Sequence, residues 1–171
     1  MHMTNRRNAL ALGLLGGTAL FAATRTPLAA AECLLEEANA ESIGSRLLDR
    51  YVAAVNAHDT SSFPELFTES YIQHSGRSPD GLAAQIENFR RVFVATPDHR
   101  MQIEDRIIAG DKVVARTTHV ATHAQTFRGI APTGKPFTYR TIDIWRVENG
   151  KFAEHWDLTD AVEVLTQLSG R

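Results

Sequence analysis

The chain has 171 residues, 43% apolar and 22% charged, with a formal net charge of −2. This is one-domain length and ordinary globular composition, and a domain of about 140 residues can bury a core without disulfides or metals. There is no Lys/Arg stripe of the kind a polyanion requires, so a nucleic-acid partner is excluded.

The first segment reads as an address. Asn5-Arg6-Arg7-Asn8-Ala9-Leu10 carries paired arginines, Ala9 to Ala23 is a run of apolar and small residues, and Pro27-Leu28-Ala29-Ala30-Ala31 offers an A-x-A cleavage site. That is the order of a bacterial export signal, and the run is short and Gly/Ala-rich for a membrane span. The arginine pair, the modest hydrophobicity and Arg25 resemble a twin-arginine signal; an ordinary secretory signal is the alternative. Residues 1–31 are therefore expected to be removed, giving a periplasmic or secreted protein with no membrane span. The cut takes away three arginines and no acid, moving the formal charge from −2 to −5. The lone cysteine, Cys33, cannot form an internal disulfide. Glu32 precedes it, where a lipoprotein signal needs a small residue. Residues 32–41 are polar and expected to be a flexible segment ahead of a domain spanning 42–171.

Ser42 to His58 is expected to be a helix, because Ile43, Leu47, Leu48, Tyr51, Val52 and Val55 recur at helical spacing. A short helical turn around Pro64 to Phe67 follows, then a short strand Tyr71 to His74 and a loop Ser75 to Asp80. Gly81 to Ala95 is a second helix. Four β segments come next: Arg100 to Ala109, Lys112 to Phe127, Pro136 to Glu148 and Lys151 to Leu158. Gly110-Asp111 and Asn149-Gly150 form tight turns between them. Asp160 to Leu168 can close as a short helix. Helices followed by a meander of long strands indicate an α+β fold. The expected form is a cone-shaped, curved antiparallel sheet with N-terminal helices enclosing a pocket.

An ordered set of motifs then carries a resemblance. It comprises Tyr71-Ile72-Gln73-His74, Pro97-Asp98, Glu104-Asp105, Gly110 to Arg116, Thr122-His123, Phe127-Arg128-Gly129, Pro132 to Lys135, and Asn149-Gly150-Lys151 to Glu154-His155-Trp156. From about Ser42 to Asp160 the chain resembles the SnoaL-like polyketide cyclase (ester cyclase) family of the nuclear transport factor two-like superfamily. The resemblance implies a cone-shaped barrel holding a pocket, a small hydrophobic molecule as partner, and ring closure by intramolecular aldol condensation with no metal or cofactor. It also implies a homodimer, because exposed sheet faces in this superfamily often pair. Gln125 stands where the family pattern has glycine.

An aldol closure needs a base to take a proton beside a carbonyl and a donor to steady the enolate oxygen. Asp143 is the candidate base. It lies in Thr141-Ile142-Asp143-Ile144-Trp145, and strand alternation puts Tyr139, Thr141, Asp143 and Trp145 on one face, with Ile142 and Ile144 packing on the other. The resemblance supports Asp143, since the acid in the corresponding family strand is the acid/base residue. A structural acid paired with Arg116 or Arg140 is the competing reading. His123, His74 and His155 are candidate donors or proton shuttles, with a loop-capping role as the alternative. Tyr71, Tyr139, Trp145, Trp156 and His155 are candidate wall residues, and one tryptophan can simply be core. Arg116 would bind a substrate oxygen or hold Asp143. No metal site is expected. His119 and His123 lie about 13 Å apart along a strand, too far for one ion, and His155 and Asp157 would need a third ligand. Three readings remain: a cofactor-free cyclase, lyase or isomerase acting on a small hydrophobic carbonyl compound, a non-catalytic carrier of such a ligand, or a dimeric interaction module.

Overall fold

The computed structural model describes residues 27–76, 78–127 and 129–169. The arginine pair and apolar run of the expected export signal lie outside these residues. In chain order the elements are α1 (Pro27–Asn56), α2 (Phe63–Leu66), β1 (Phe67–Gln73), α3 (Leu82–Ala95), β2 (Arg100–Ala109), β3 (Lys112–Thr122), β4 (Pro136–Glu148), β5 (Lys151–Thr159) and α4 (Ala161–Ser169). The main departures from expectation are at the ends. α1 begins at Pro27, and its residues 29–39 are exposed; β1 starts earlier, at Phe67, and β3 stops at Thr122. Among the described residues no helix is long and apolar enough to cross a membrane.

The five strands form one curved, unclosed sheet in the order β1-β5-β4-β3-β2. The pairs β2/β3, β3/β4 and β4/β5 are antiparallel, as the meander predicts, whereas β1 joins β5 in parallel. The parallel pair requires a long crossover, and α3 with β2 to β4 supplies it. Register shifts interrupt β1 between Phe67 and Ile72, β2 between Ile103 and Asp105, and β4 between Arg146 and Val147. Such irregularities increase local bend and twist, which lets the sheet wrap a hollow. The Asn149-Gly150 turn has positive φ at both residues, 50° and 74°, as the Asn-Gly pair predicts.

The sheet's inner face meets α1 and α3. Leu47, Leu48, Tyr51, Ala54 and Val55 of α1 are buried at helical spacing and join Phe63, Leu66, Phe67, Tyr71, Val113, Trp145 and Phe152 in the larger apolar cluster. Burying each large member stabilises the fold by roughly 1.5–3 kcal/mol. α1 approaches closely at Gly44, where an added Cβ would sit 2.9 Å from side-chain methyls of Ile108 and Val113. Asn56 then ties the end of α1 to β2, donating to the Met101 carbonyl at 2.9 Å and accepting from its N–H at 2.7 Å. A second cluster, with Ala121, Phe127, Phe137, Tyr139, Val164 and Leu168, lies towards the other end of β3 and β4, where α4 packs. A belt of buried polar side chains separates the two.

Candidate active site

Strict alternation in β3 and β4 builds that belt. Val113, Ala115, Thr117, His119 and Ala121 of β3 are buried, as are Phe137, Tyr139, Thr141, Asp143 and Trp145 of β4. Their register pairs Ala115 with Asp143, Thr117 with Thr141 and His119 with Tyr139. On the other side of β4, Asp143 lies opposite Asp157 and Trp145 opposite His155. The expected face of Tyr139, Thr141, Asp143 and Trp145 is therefore present. Ile142 and Ile144 do turn to the opposite face, but they are exposed there rather than packed.

A cavity of about 380 Å³ opens over this belt, within the range of small-molecule sites. α3 lines it with Gln85, Asn88, Phe89, Arg91 and Val92; α1 contributes Tyr51, and the sheet contributes His119, Tyr139, Thr141, Asp143, His155 and Asp157. Asp143 is only 6% exposed. A buried carboxylate needs donors to remain charged, and this one has them. His155 Nε2 lies 3.0 Å from Oδ1; Thr141 Oγ1 donates to Oδ2, and Thr117 Oγ1 is 3.5 Å from the same oxygen. Thr117 and Thr141 are hydrogen-bonded to each other. The network continues from Thr117 Oγ1 to His119 Nε2 at 2.9 Å, and from His119 Nδ1 to His99 Nε2 at 3.0 Å. On the opposite side, Gln73 Nε2 contacts His155 Nδ1 at 2.9 Å. The His155 ring also stacks on Trp145, with centroids 4.7 Å apart and an 8° interplanar angle.

Burial sets the charge state of three titratable side chains nearby, Tyr51, Tyr71 and His99. Desolvation, reinforced by Asp143, pushes the Tyr51 phenol well above its usual range, so it remains a neutral O–H. Tyr71 is raised for the same two reasons. His99 is lowered to about 3, first by burial and then by the neighbouring His119, His58 and Arg100. Its imidazole is therefore neutral at physiological pH.

The expected site residues separate into two groups. Asp143, Tyr139 and His155 line the cavity together. Trp145 supports them from the apolar core. Tyr71 is core as well, fully buried against Phe67. His123 is fully buried among Phe127 and Phe137, with Nδ1 3.1 Å from Thr133 Oγ1, and does not line the cavity. His74 and Trp156 occupy the outer side of the sheet, where their rings stack 4.2 Å apart and His74 contacts Glu154 at 2.8 Å. Arg116 is exposed, because its odd/even position in β3 is opposite to that of Ala115 and Thr117. Neither expected arginine partner reaches Asp143: Arg140 instead lies 3.8 Å from Asp160. Sequence reasoning placed Thr141 on the pocket face but did not single out Gln73, Tyr51, His99 or Thr117 as site residues, and weighed His119 only as a metal ligand. Among the described residues, no group of three or more His, Cys, Asp or Glu side chains is placed to hold a metal ion.

Comparison with known proteins agrees with the fold. TsrD of Streptomyces laurentii is 27% identical, covering 76% of this chain and 97% of its own, with a TM-score of 0.72. IdmH of Streptomyces antibioticus is also 27% identical, covering 74% of this chain and 98% of its own, with a TM-score of 0.64. A SnoaL-like polyketide cyclase from Agrobacterium tumefaciens shares the fold at 19% identity, covering 73% of this chain and 97% of its own, with a TM-score of 0.67. No curated protein matches the chain. The family model for SnoaL-like polyketide cyclases matches residues 45–168, which contain the whole sheet and the cavity. The chain belongs to the SnoaL-like polyketide cyclase family.

Proposed function

We propose that the protein performs acid/base chemistry, without a cofactor, on a small hydrophobic carbonyl compound, with cyclase, lyase or isomerase outcome. The observation that carries this reading is Asp143: a buried carboxylate at the wall of a cavity, hydrogen-bonded on both oxygens and flanked by aromatic side chains. Asp143 takes the proton from the carbon beside the carbonyl, the C–H pair forms a C=C bond, and the carbonyl π pair moves onto the oxygen. The neutral phenol of Tyr51 is the candidate donor to that developing oxyanion, since its raised pKa keeps the hydrogen in place. His155 is assigned to hold Asp143 rather than to react.

A carrier without turnover is the second reading. It is favoured by the same saturation of Asp143 with protein donors, which a purely structural acid also requires. Native mass spectrometry of the protein from its source would identify a retained ligand. The catalytic reading expects Asp143→Asn to keep ligand affinity and lose turnover. Binding without turnover in both forms would establish the carrier.

We also propose export and pairing. The Arg6-Arg7 leader with its A-x-A site supports a periplasmic or secreted mature protein beginning near Glu32. An intact residue 1–31 segment in source material would refute that. The outer sheet face exposes Ile72, Val120, Ile142, Ile144 and Leu158, an apolar patch that supports a homodimer. Ile142→Lys is expected to give monomers in analytical ultracentrifugation; unchanged sedimentation would remove this face from the interface.

A further inference from the structure

We infer that Gln73 is a positioning residue that locks His155 as a neutral hydrogen-bond donor and so directs proton transfer to one oxygen of Asp143, Oδ2. The argument begins at a donor that has no ambiguity. The backbone N–H of Ser75 donates to Gln73 Oε1 at 3.2 Å. This fixes which end of the Gln73 amide is oxygen, a choice that coordinates alone leave open. The amide NH2 therefore faces His155 Nδ1 at 2.9 Å and donates to it. Nδ1 must then carry a lone pair, and the imidazole proton sits on Nε2, donating to Asp143 Oδ1 at 3.0 Å. The stack on Trp145 holds the ring in this orientation.

A second proton on Nδ1 would set N–H against N–H across 2.9 Å and break the Gln73 bond. His155 is thereby kept from acting as the proton carrier, although Asp143 and Asp157 both line the same cavity and favour a cation. Arg91 of α3 lines it too and acts in the opposite direction. His119 belongs to the other arm of the network, on the Oδ2 side.

The two oxygens of Asp143 consequently differ. Oδ1 faces an N–H that cannot reverse. Oδ2 faces the hydroxyls of Thr141 and Thr117, and a hydroxyl can change from donor to acceptor by rotating. When a substrate C–H bond breaks, its electron pair forms the enolate C=C bond, the carbonyl π pair moves onto the oxygen, and the proton forms the new O–H bond at Oδ2. Thr141 then turns its hydrogen towards Thr117, already its partner, and accepts from the new O–H.

This inference deepens the Asp143 reading, but its test needs no turnover, so the two can fail separately. The experiment is two-bond ¹H–¹⁵N correlation NMR on the purified protein labelled at histidine nitrogens, with His155 assigned by its loss in His155→Gln. The native protein is expected to show Nε2 protonated and Nδ1 bare. Gln73→Glu places an acceptor at Nδ1 and is expected to yield doubly protonated His155 at pH 7. Gln73→Leu removes one hydrogen bond and is expected to raise the doubly protonated fraction about threefold to tenfold at a fixed pH between 6 and 7. The buried His123 signal reports whether each variant is folded. A native His155 protonated at Nδ1 would overturn the proposal. So would a His155 spectrum that stays native in the folded Gln73→Leu protein.

Discussion

Two histidines sit close to the junction of β1 and β5 and have nearly the same companions. His155 contacts a carboxylate, Asp143, and stacks on Trp145; His74 contacts a carboxylate, Glu154, and stacks on Trp156. The chemistry of the groups is alike, and the distances are 3.0 and 2.8 Å. The environments are opposite. His155 and Asp143 have side chains only 8% exposed, inside a cavity, whereas His74 and Glu154 are 33% and 21% exposed on the outer face. Glu154 also pairs with Arg146, and hydrogen bonds from His74 and then Arg146 hold its carboxyl below the usual range. An imidazole–carboxylate pair is therefore not a site in itself. The inner pair becomes one because water is largely excluded and a ligand-sized space adjoins it.

The largest effect expected from this contrast is on stability. His155→Ala removes the donor to Oδ1 of the buried Asp143 carboxylate and should cost about 1.5–3 kcal/mol in urea denaturation, the range for a hydrogen bond to a charged group. Equal effects of His155→Ala and His74→Ala would break the comparison.

Acid should act next, through the inner network. The folded-state pKa of His99 is about 3, below the usual unfolded value of about 6.5. The unfolded chain then binds more protons between those values, so stability is complete above about pH 6.5 and falls as pH drops towards 3. The His99 contribution to this slope approaches about 1.4 kcal/mol per pH unit. In His99→Phe the acid limb of stability against pH should flatten; an unchanged limb would mean that His99 is not the neutral group described.

The smallest effect belongs to the outer pair. His74→Ala should change stability by about 1 kcal/mol or less, as exposed pairs do, and should leave ligand affinity at the cavity unaltered. A substantial loss of affinity would return His74 to the site.

The element order was readable because each strand of the meander is long and bounded by a tight turn. Asp143 was readable because β4 alternates without interruption through its inward residues. His74 was named because the type of side chain suggested proton transfer, yet a one-residue step along a strand exchanges faces. Gln73 meets His155 only through the parallel pairing of β1 with β5, a register that no local pattern encodes. Tyr51 was assigned to an apolar helical face, and it does pack there, against Phe67, Phe89, Trp145 and Phe152. That its neutral phenol also borders the cavity follows only from how α1 lies on the sheet. His119 was judged by its spacing to His123, although its partners are Thr117 beside it and His99 just ahead of β2, which pairs with β3.

The most direct test of the central claim is proton exchange at carbon. A small apolar ketone with acidic neighbouring C–H bonds, 2-tetralone, is incubated with the protein in D2O, and deuterium incorporation is followed by NMR. The account predicts exchange faster than in buffer, reduced by about 10²–10⁴-fold in Asp143→Asn, the usual range for a positioned base. Accelerated exchange that persists undiminished in a folded Asp143→Asn protein would contradict it.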